Sequence, residues 1–353
     1  MKIAITGDVH LTQRKNHPER YNALENILSQ MIEDKIDTLI IAGDLFDDES
    51  QNYSEFDEFC KQNKYSTVKF YIIPGNHDPL LTHQHFTAIN IEVINKSRII
   101  KLGEHLVDFL FVPYMPDKTM GEEIAIHKDQ LHDRWVLIGH GDYMGGMRDL
   151  NPYEPGIYMP LTRNEIGYYK PVKVILGHVH KSIELGKVYY TGSPCGMDIN
   201  ETGEKRFLII DTKNLDIISK TIDTDYIFFN ETLIMLPTED EISYIEDKIN
   251  VLIKNWGLKE NEIPKARIRL KVKGYTSDRN QLQTVIKEAL AKFTFYNEEE
   301  PDLTEVSLFN DPERIQIVEE VKKEIEELVL NKGINQPGKD EILEQALHII
   351  LRK

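Results

Sequence analysis

Apolar residues in this chain follow two different periods. Short apolar runs at Lys2–Thr6, Thr38–Ala42, Lys69–Ile73, Trp135–Ile138, Val172–Leu176 and Arg206–Asp211 read as strands, several of them apolar on both faces. Between the first two, Pro18–Asp34 places Tyr21, Leu24, Ile27, Leu28 and Met31 on one face at helical spacing. Strands alternating with helices in this way predict an α/β fold. Past Ile222–Tyr226 the pattern starts again. Phe229–Leu236 is strand-like, Glu239–Asn255 helical, Ala266–Val272 an alternating half-buried strand, and Asp278–Lys292 helical, which together predict a small separate α+β domain. Glu298–Asp302 reads as a polar linker. Two amphipathic helices follow, Pro312–Leu330 with Ile315, Val318, Val321, Ile325 and Leu328 on its apolar face, and Lys339–Leu351 with Ile342, Leu343, Ala346, Leu347 and Ile350. The expected division is 1–225, 226–300 and 301–353.

The ends of the first-domain strands repeat one arrangement. An apolar run stops, a glycine permits a tight turn, and a metal-binding type of residue follows. The sequence places Asp8-Val9-His10 after the first strand, Gly43-Asp44-Leu45-Phe46-Asp47 after the second, and Gly75-Asn76-His77-Asp78 after the third. Gly139-His140 and Gly177-His178-Val179-His180 follow two later ones. An isolated DxH or a lone histidine is more often structural than a ligand. Five such sets in order, at the edge of an α/β sheet where ligand sites gather, imply one shared site.

Composition changes this picture little. There is no apolar run near the ~20 residues that span a bilayer, and the N-terminus lacks the layout of a signal peptide. Cys60 and Cys195 are far apart and form no CxxC pair, so neither a disulfide framework nor a thiolate zinc site is expected. A cytoplasmic location is the default expectation. The formal net charge of −17 weighs against a nucleic-acid binder, because phosphate contacts need Lys and Arg. Net charge does not say where charges sit, however, and acidic metal ligands are neutralised by their cations.

The order and spacing of the five motifs resemble the calcineurin-like metallophosphoesterases. That resemblance implies a two-sheet αββα sandwich with two divalent cations, most simply Mn²⁺. It implies Asp8, His10, Asp44 and His180 around one cation, and Asp44, Asn76, His140 and His178 around the other, with Asp44 bridging. Carboxylate, amide and imidazole donors suit such ions. A pair roughly 3.5–4 Å apart clamps both oxygens of an in-line displacement and acidifies bound water. By the same resemblance His77 is not a ligand but protonates the leaving alkoxide. Asp78 is placed to orient it or, equally, to serve as a turn residue, and Asp47 either stands behind the ligands or caps its loop.

Protein phosphatases of the superfamily carry Arg in a GDxxDRG motif and Glu after GNH. Here Asp48 and Asp78 occupy those places. Ile41–Asp47 and Leu176–His180, followed by Tyr190-Thr191-Gly192-Ser193-Pro194 and Gly203–Asp211, look instead like SbcD-type nucleases. This likeness implies a 3′→5′ duplex exonuclease and single-strand endonuclease in a DNA-end-processing complex, with a capping domain over 226–300. It implies an SbcC-type ATPase gripped by the C-terminal helices, whose apolar faces need cover. It also implies a homodimer formed through helices near 19–33 and 79–90. Asp47 departs from the His of archaeal and eukaryotic counterparts, and the Arg-Pro-Ser that often follows GDLFD is absent. Gly141–Pro160 carries no family signal and is expected as a loop lining the site. The competing expectations are a small-molecule phosphodiesterase or nucleotidase with the same centre, and a scaffold that bridges DNA ends.

Overall fold

A computed structural model describes residues 1–47, 52–103, 106–145, 156–238, 240–309, 311–328 and 338–351. The chain forms two compact units, Met1–Met197 with Glu204–Tyr226, and Asp198–Gly203 with Ile227–Lys353.

The first unit runs β1 (Lys2–Thr6), α1 (Pro18–Glu33), β2 (Thr38–Ala42), α2 (Tyr53–Cys60), β3 (Lys69–Ile73), β4 (Ile91–Val93), β5 (Arg98–Leu102) and β6 (Val107–Val112). It continues through α3 (Met120–His127), β7 (Trp135–His140), α4 (Arg163–Tyr169), β8 (Lys173–Gly177), β9 (Ile183–Leu185), β10 (Val188–Tyr190), β11 (Arg206–Asp211) and β12 (Ile217–Thr221). Two six-stranded sheets result, ordered β12-β11-β1-β2-β3-β4 and β5-β6-β7-β8-β10-β9.

Side-chain alternation explains the layers. In β1 and β2, Ile3, Ile5, Ile40 and Ala42 point between the sheets, where they meet Phe109, Phe111, Val136, Ile138 and Ile175 of the second sheet. Ala4, Leu39 and Ile41 point outward against α1 and α2. On the opposite outer face Leu110, Leu137, Val174 and Leu176 pack against Met120, Ile124 and Ile166 of α3 and α4. The unit is therefore the expected αββα sandwich. Strands covered on both faces carry apolar residues at every position, which is why they read as continuous runs. Each large core side chain contributes accordingly: replacing the fully buried Phe111 with Ala is worth about 3–5 kcal/mol.

Strands β1 to β4 are mutually parallel, as are β6, β7, β8 and β10. Their carboxyl ends therefore gather at one edge in each sheet, and that edge carries the motif loops.

The second unit contains β13 (Ile227–Met235), α5 (Glu241–Trp256), β14 (Ala266–Thr276), α6 (Arg279–Ala289), β15 (Thr294–Phe295), β16 (Asp302–Leu308), α7 (Pro312–Glu327) and α8 (Lys339–Leu351). Strand β14 is central, flanked by β13 on one side and by β15 and β16 on the other. One face packs Phe229, Ile268, Leu270 and Val272 under Ile245, Ile249, Leu282 and Ile286 of α5 and α6.

Three expectations are corrected. Leu80–Ile89 forms no α-helix, only a 3-10 turn at His83–His85. Pro79 disfavours helical geometry in the residue before it. Further on, the buried Asp57 carboxylate accepts the backbone N–H groups of Thr87 and Ala88, both at 2.8 Å, and holds that stretch out of a helix. A dimer helix over 79–90 is thus not formed, and the apolar face of α1 is buried in its own unit. Glu298–Asp302 is not a free linker. Glu299 pairs with Arg269, Glu300 pairs with Lys287, and the chain enters β16 at once. Last, the C-terminal helices do not leave their apolar faces bare. Val318, Ile325, Leu343 and Leu347 form one cluster with Leu236 and Phe309, with Ile315, Val321, Ile342, Tyr244 and Tyr275 packed against it. Residues 146–155, most of the loop expected to line the site, lie outside the described residues, as do Asp48 and His105. No helix among the described residues is long and apolar enough to cross a membrane.

Candidate metal centre

Every motif residue named from the sequence arrives at the same edge. Backbone hydrogen bonds knit the first two loops together: Asp8 N–H donates to the Gly43 carbonyl at 3.0 Å, Val9 and His10 N–H to the Asp44 carbonyl at 2.9 and 3.0 Å, and Leu11 N–H to that of Leu45 at 2.8 Å. The third loop joins through His77 N–H, which donates to Asp44 Oδ1 at 2.9 Å. The fifth joins through His178 N–H, which donates to Asp8 Oδ1 at 2.7 Å.

Such packing needs unusual backbone. Asp8, His10, Asp44 and His178 have φ of 52°, 50°, 48° and 93°, in the left-handed region that non-glycine residues adopt at a cost of about 1–3 kcal/mol each. It also needs missing side chains. A Cβ on Gly43 would lie 2.1 Å from His140 Nδ1, and one on Gly75 would lie 2.1 Å from Asp44 Oδ1.

The side chains converge in overlapping groups: Asp8, His10 and His180; His10, Asp44 and His77; and Asp44, His140 and His178. Asp44 is common to two of them. Its Oδ2 lies 3.8 Å from His10 Nε2 and 3.2 Å from His140 Nε2. Asn76 Oδ1 stands 2.8 Å from His140 Nε2 and 3.0 Å from His178 Nδ1. On the other flank His10 Nε2 and His180 Nε2 face each other at 3.1 Å. His140 Nδ1 donates to the Ala42 carbonyl at 2.9 Å, which orients the ring with Nε2 facing the site.

This donor set fits divalent cations. Asp8 Oδ2 is fully buried with no hydrogen-bond partner among the described residues, an arrangement that is costly unless a cation meets it. Carboxylate, amide oxygen and imidazole without thiolate match hard or borderline ions.

Titration reflects the same crowding. Burial raises the Asp8 carboxyl to about 6, against the opposing charges of His140 and His180. Burial lowers the His10 imidazole to about 3 despite Asp44, so it presents a lone pair at neutral pH. Burial alone would raise Asp44 and lower His140. Their mutual charge and hydrogen bond outweigh it, holding Asp44 well below the carboxylate range and lifting His140 to about 10.

His77 sits half-exposed at the mouth, its ring edge-on to His10 with centroids 4.6 Å apart. Asp78 is fully buried and accepts the N–H groups of Gly75 at 2.7 Å and Phe46 at 3.1 Å, which clamps the second and third loops together. Burial and the charge of Asp44 push its carboxyl up to about 7.

Two contributors were not read from the sequence. Arg20 of α1 is buried; its Nη1 donates to the His10 carbonyl and, at 3.0 Å, to Asp47 Oδ2. Asp47 therefore supports the DxH loop through Arg20. Asp142, also buried, accepts Tyr158 N–H at 2.7 Å through Oδ2 and places Oδ1 3.8 Å from His178 Nε2. Its position two residues beyond a motif histidine was the available signal.

An αββα sandwich whose strand ends deliver overlapping carboxylate, amide and imidazole sets around one shared aspartate defines a metal-dependent phosphoesterase. The chain belongs to the calcineurin-like phosphoesterases, whose family model matches residues 1–182. It is similar to the uncharacterized metallophosphoesterase YhaO of Bacillus subtilis, 24% identical over 214 residues that cover 56% of this chain and 50% of that protein. It is also similar to the SbcD component of the nuclease SbcCD of Staphylococcus saprophyticus, at 25% identity over 63% of this chain and 68% of that one. The DNA double-strand break repair protein Mre11 of Saccharolobus solfataricus matches at 26% over 62% of each. These alignments span about half to two thirds of the relatives' lengths.

Proposed function

We propose that this protein is a divalent-metal-dependent nuclease that hydrolyses phosphodiester bonds in DNA. The observation that carries the hydrolytic part is the buried, unpartnered Asp8 Oδ2 beside facing imidazoles and a shared Asp44. Asp8, His10, Asp44 and His180 would hold one cation, and Asp44, Asn76, His140 and His178 the other, with Mn²⁺ suited to these donors. When bound, the cations polarise phosphoryl oxygens and acidify water.

The chain's own groups do the rest. Asp44 Oδ1 anchors the His77 backbone, so the imidazole that meets substrate is registered to the ligand set. His77 holds a proton at the mouth and delivers it to the leaving alkoxide. Asp78 keeps the His77 loop rigid through Gly75 and Phe46 rather than by touching substrate. Buried Asp8, His10, Asp44 and His140 keep solvent from the rear of the site.

DNA as substrate is supported by the similarity to SbcD and Mre11. The same similarity supports an SbcC-type ATPase as partner. Because the apolar faces of α7 and α8 are covered, such a partner would meet outward residues such as Ile317 and Ile349. The second reading, a small-molecule phosphodiesterase with the same centre, is favoured by the net charge of −17, since a duplex interface needs basic contacts.

Linear duplex DNA and a chromogenic phosphodiester, each with Mn²⁺, separate the two. A nuclease degrades the duplex, and His77→Ala lowers duplex cleavage by about 10²–10⁴-fold while Mn²⁺ still binds, with a much smaller loss on the chromogenic ester, whose phenolate leaves without a proton. Rapid cleavage of the chromogenic ester with intact DNA would establish the second reading instead.

A further inference from the structure

Two tyrosines stand beside the metal centre and belong to neither ligand set. Tyr158 lies against the His178 ring, with centroids 4.8 Å apart at 48°. Tyr114 lies beyond it, 6.1 Å from Tyr158 at 47°. Both are half-buried, on the same flank as Asn76, which is likewise half-exposed while His140 and His178 are buried.

The main chain of each tyrosine is bonded to a loop that carries candidate ligands. Tyr114 N–H donates to the Pro74 carbonyl at 3.0 Å, at the start of the loop carrying Asn76 and His77. Tyr158 N–H donates to Asp142 Oδ2 at 2.7 Å, and its carbonyl accepts Asp142 N–H at 2.8 Å, two residues past His140. Tyr158 rests on a candidate ligand imidazole and is half-buried.

We propose that Tyr114 and Tyr158 form an aromatic subsite for the ring of a nucleoside esterified to the scissile phosphate. The proposal rests on the phosphodiesterase reading of the centre and adds the group next to the phosphorus. Aromatic faces accept every base because every base has a π-face. The subsite therefore selects nucleosides over alkyl groups and discriminates weakly among bases.

The test compares two diesters with one leaving group, thymidine 5′-(4-nitrophenyl) phosphate and methyl 4-nitrophenyl phosphate, on the Mn²⁺-loaded full chain. The wild type is expected to favour the nucleoside ester at least ~10-fold in kcat/KM, mainly through KM. Tyr114→Leu with Tyr158→Leu is expected to erase that preference, read as the ratio of the two esters at equal Mn²⁺ content, whereas Tyr158→Phe keeps it. Should the double variant fail to fold or load metal, Tyr114→Leu alone, which leaves the His178 contact intact, is expected to reduce the preference several-fold. A foldable variant that keeps the full preference overturns the subsite, as does a wild type that hydrolyses both esters equally. A wild type that hydrolyses neither overturns the phosphodiesterase reading itself.

Discussion

The ligand edge of the sandwich and the sheet of the second unit use charge in opposite ways. At the edge, Asp8, Asp44, Asp78 and Asp142 are buried, four motif residues adopt left-handed backbone, and the Asp8 Oδ2 atom has no partner among the described residues. In the second unit the charged side chains of β14 pair at the surface: Arg269 with Glu299, and Lys271 and Lys273 with Glu305. Its left-handed non-glycine residues among those described are Asn297 and Glu298, in an exposed turn. The sheet of the second unit pairs its charges at the surface, while the edge gathers buried carboxylates on strained backbone. Local violations of packing and pairing rules that a fold tolerates mark where it works.

That contrast can be broken experimentally. Asp44→Asn removes the charge shared by both ligand groups, so hydrolysis of a phosphodiester should fall by about 10³-fold or more, a loss of several kcal/mol. Retention of a tenth of wild-type activity would contradict the shared role. Asp142→Asn keeps the shape but removes the carboxylate beside His178. Calorimetric titration should then show Mn²⁺ affinity weakened about 10–100-fold; unaltered affinity would reduce Asp142 to a loop clamp.

Away from the centre, Asp57 offers a charge that works for the fold. Burial would raise its carboxyl, but hydrogen bonds from Lys61, Thr87 and Ala88 outweigh this and bring it down to about 2. A depressed folded value means that the stabilisation is complete above the ordinary carboxylate range, from about pH 4 upward. It is lost as pH falls through about 2. Asp57→Asn should therefore lower stability near neutrality by about 2 kcal/mol, with the deficit shrinking toward pH 2, as urea melts at several pH values would register. The smallest effect belongs to the second unit's surface. Arg269→Ala breaks a half-exposed bidentate pair and should cost less than about 1 kcal/mol, with Mn²⁺-dependent hydrolysis unaltered.

How much of this the sequence displayed follows from the same physics. Strands such as Thr38–Ala42 are covered on both faces and end in glycine plus a ligand type, so pattern and chemistry coincide and the site residues stand out. Strand β6 was hidden because Asp108 interrupts its apolar run; that carboxylate is accommodated by Lys101 and His132, each at 2.6 Å. The helix over Leu80–Ile89 was expected from resemblance alone, and the distant Asp57 holds the end of that stretch in another conformation. Strand β16 was masked by the acidic run before it, whose partners lie on β14 and α6. Arg20, Asp142, Tyr114 and Tyr158 matter through contacts between loops far apart in sequence, which no local spacing announces.

Metal stoichiometry tests the central claim most directly. Equilibrium dialysis of the full chain against saturating Mn²⁺ should find two ions per chain in the wild type and fewer in Asp44→Asn. One ion or none in the wild type, or two undiminished in the variant, would contradict a centre built around a shared aspartate.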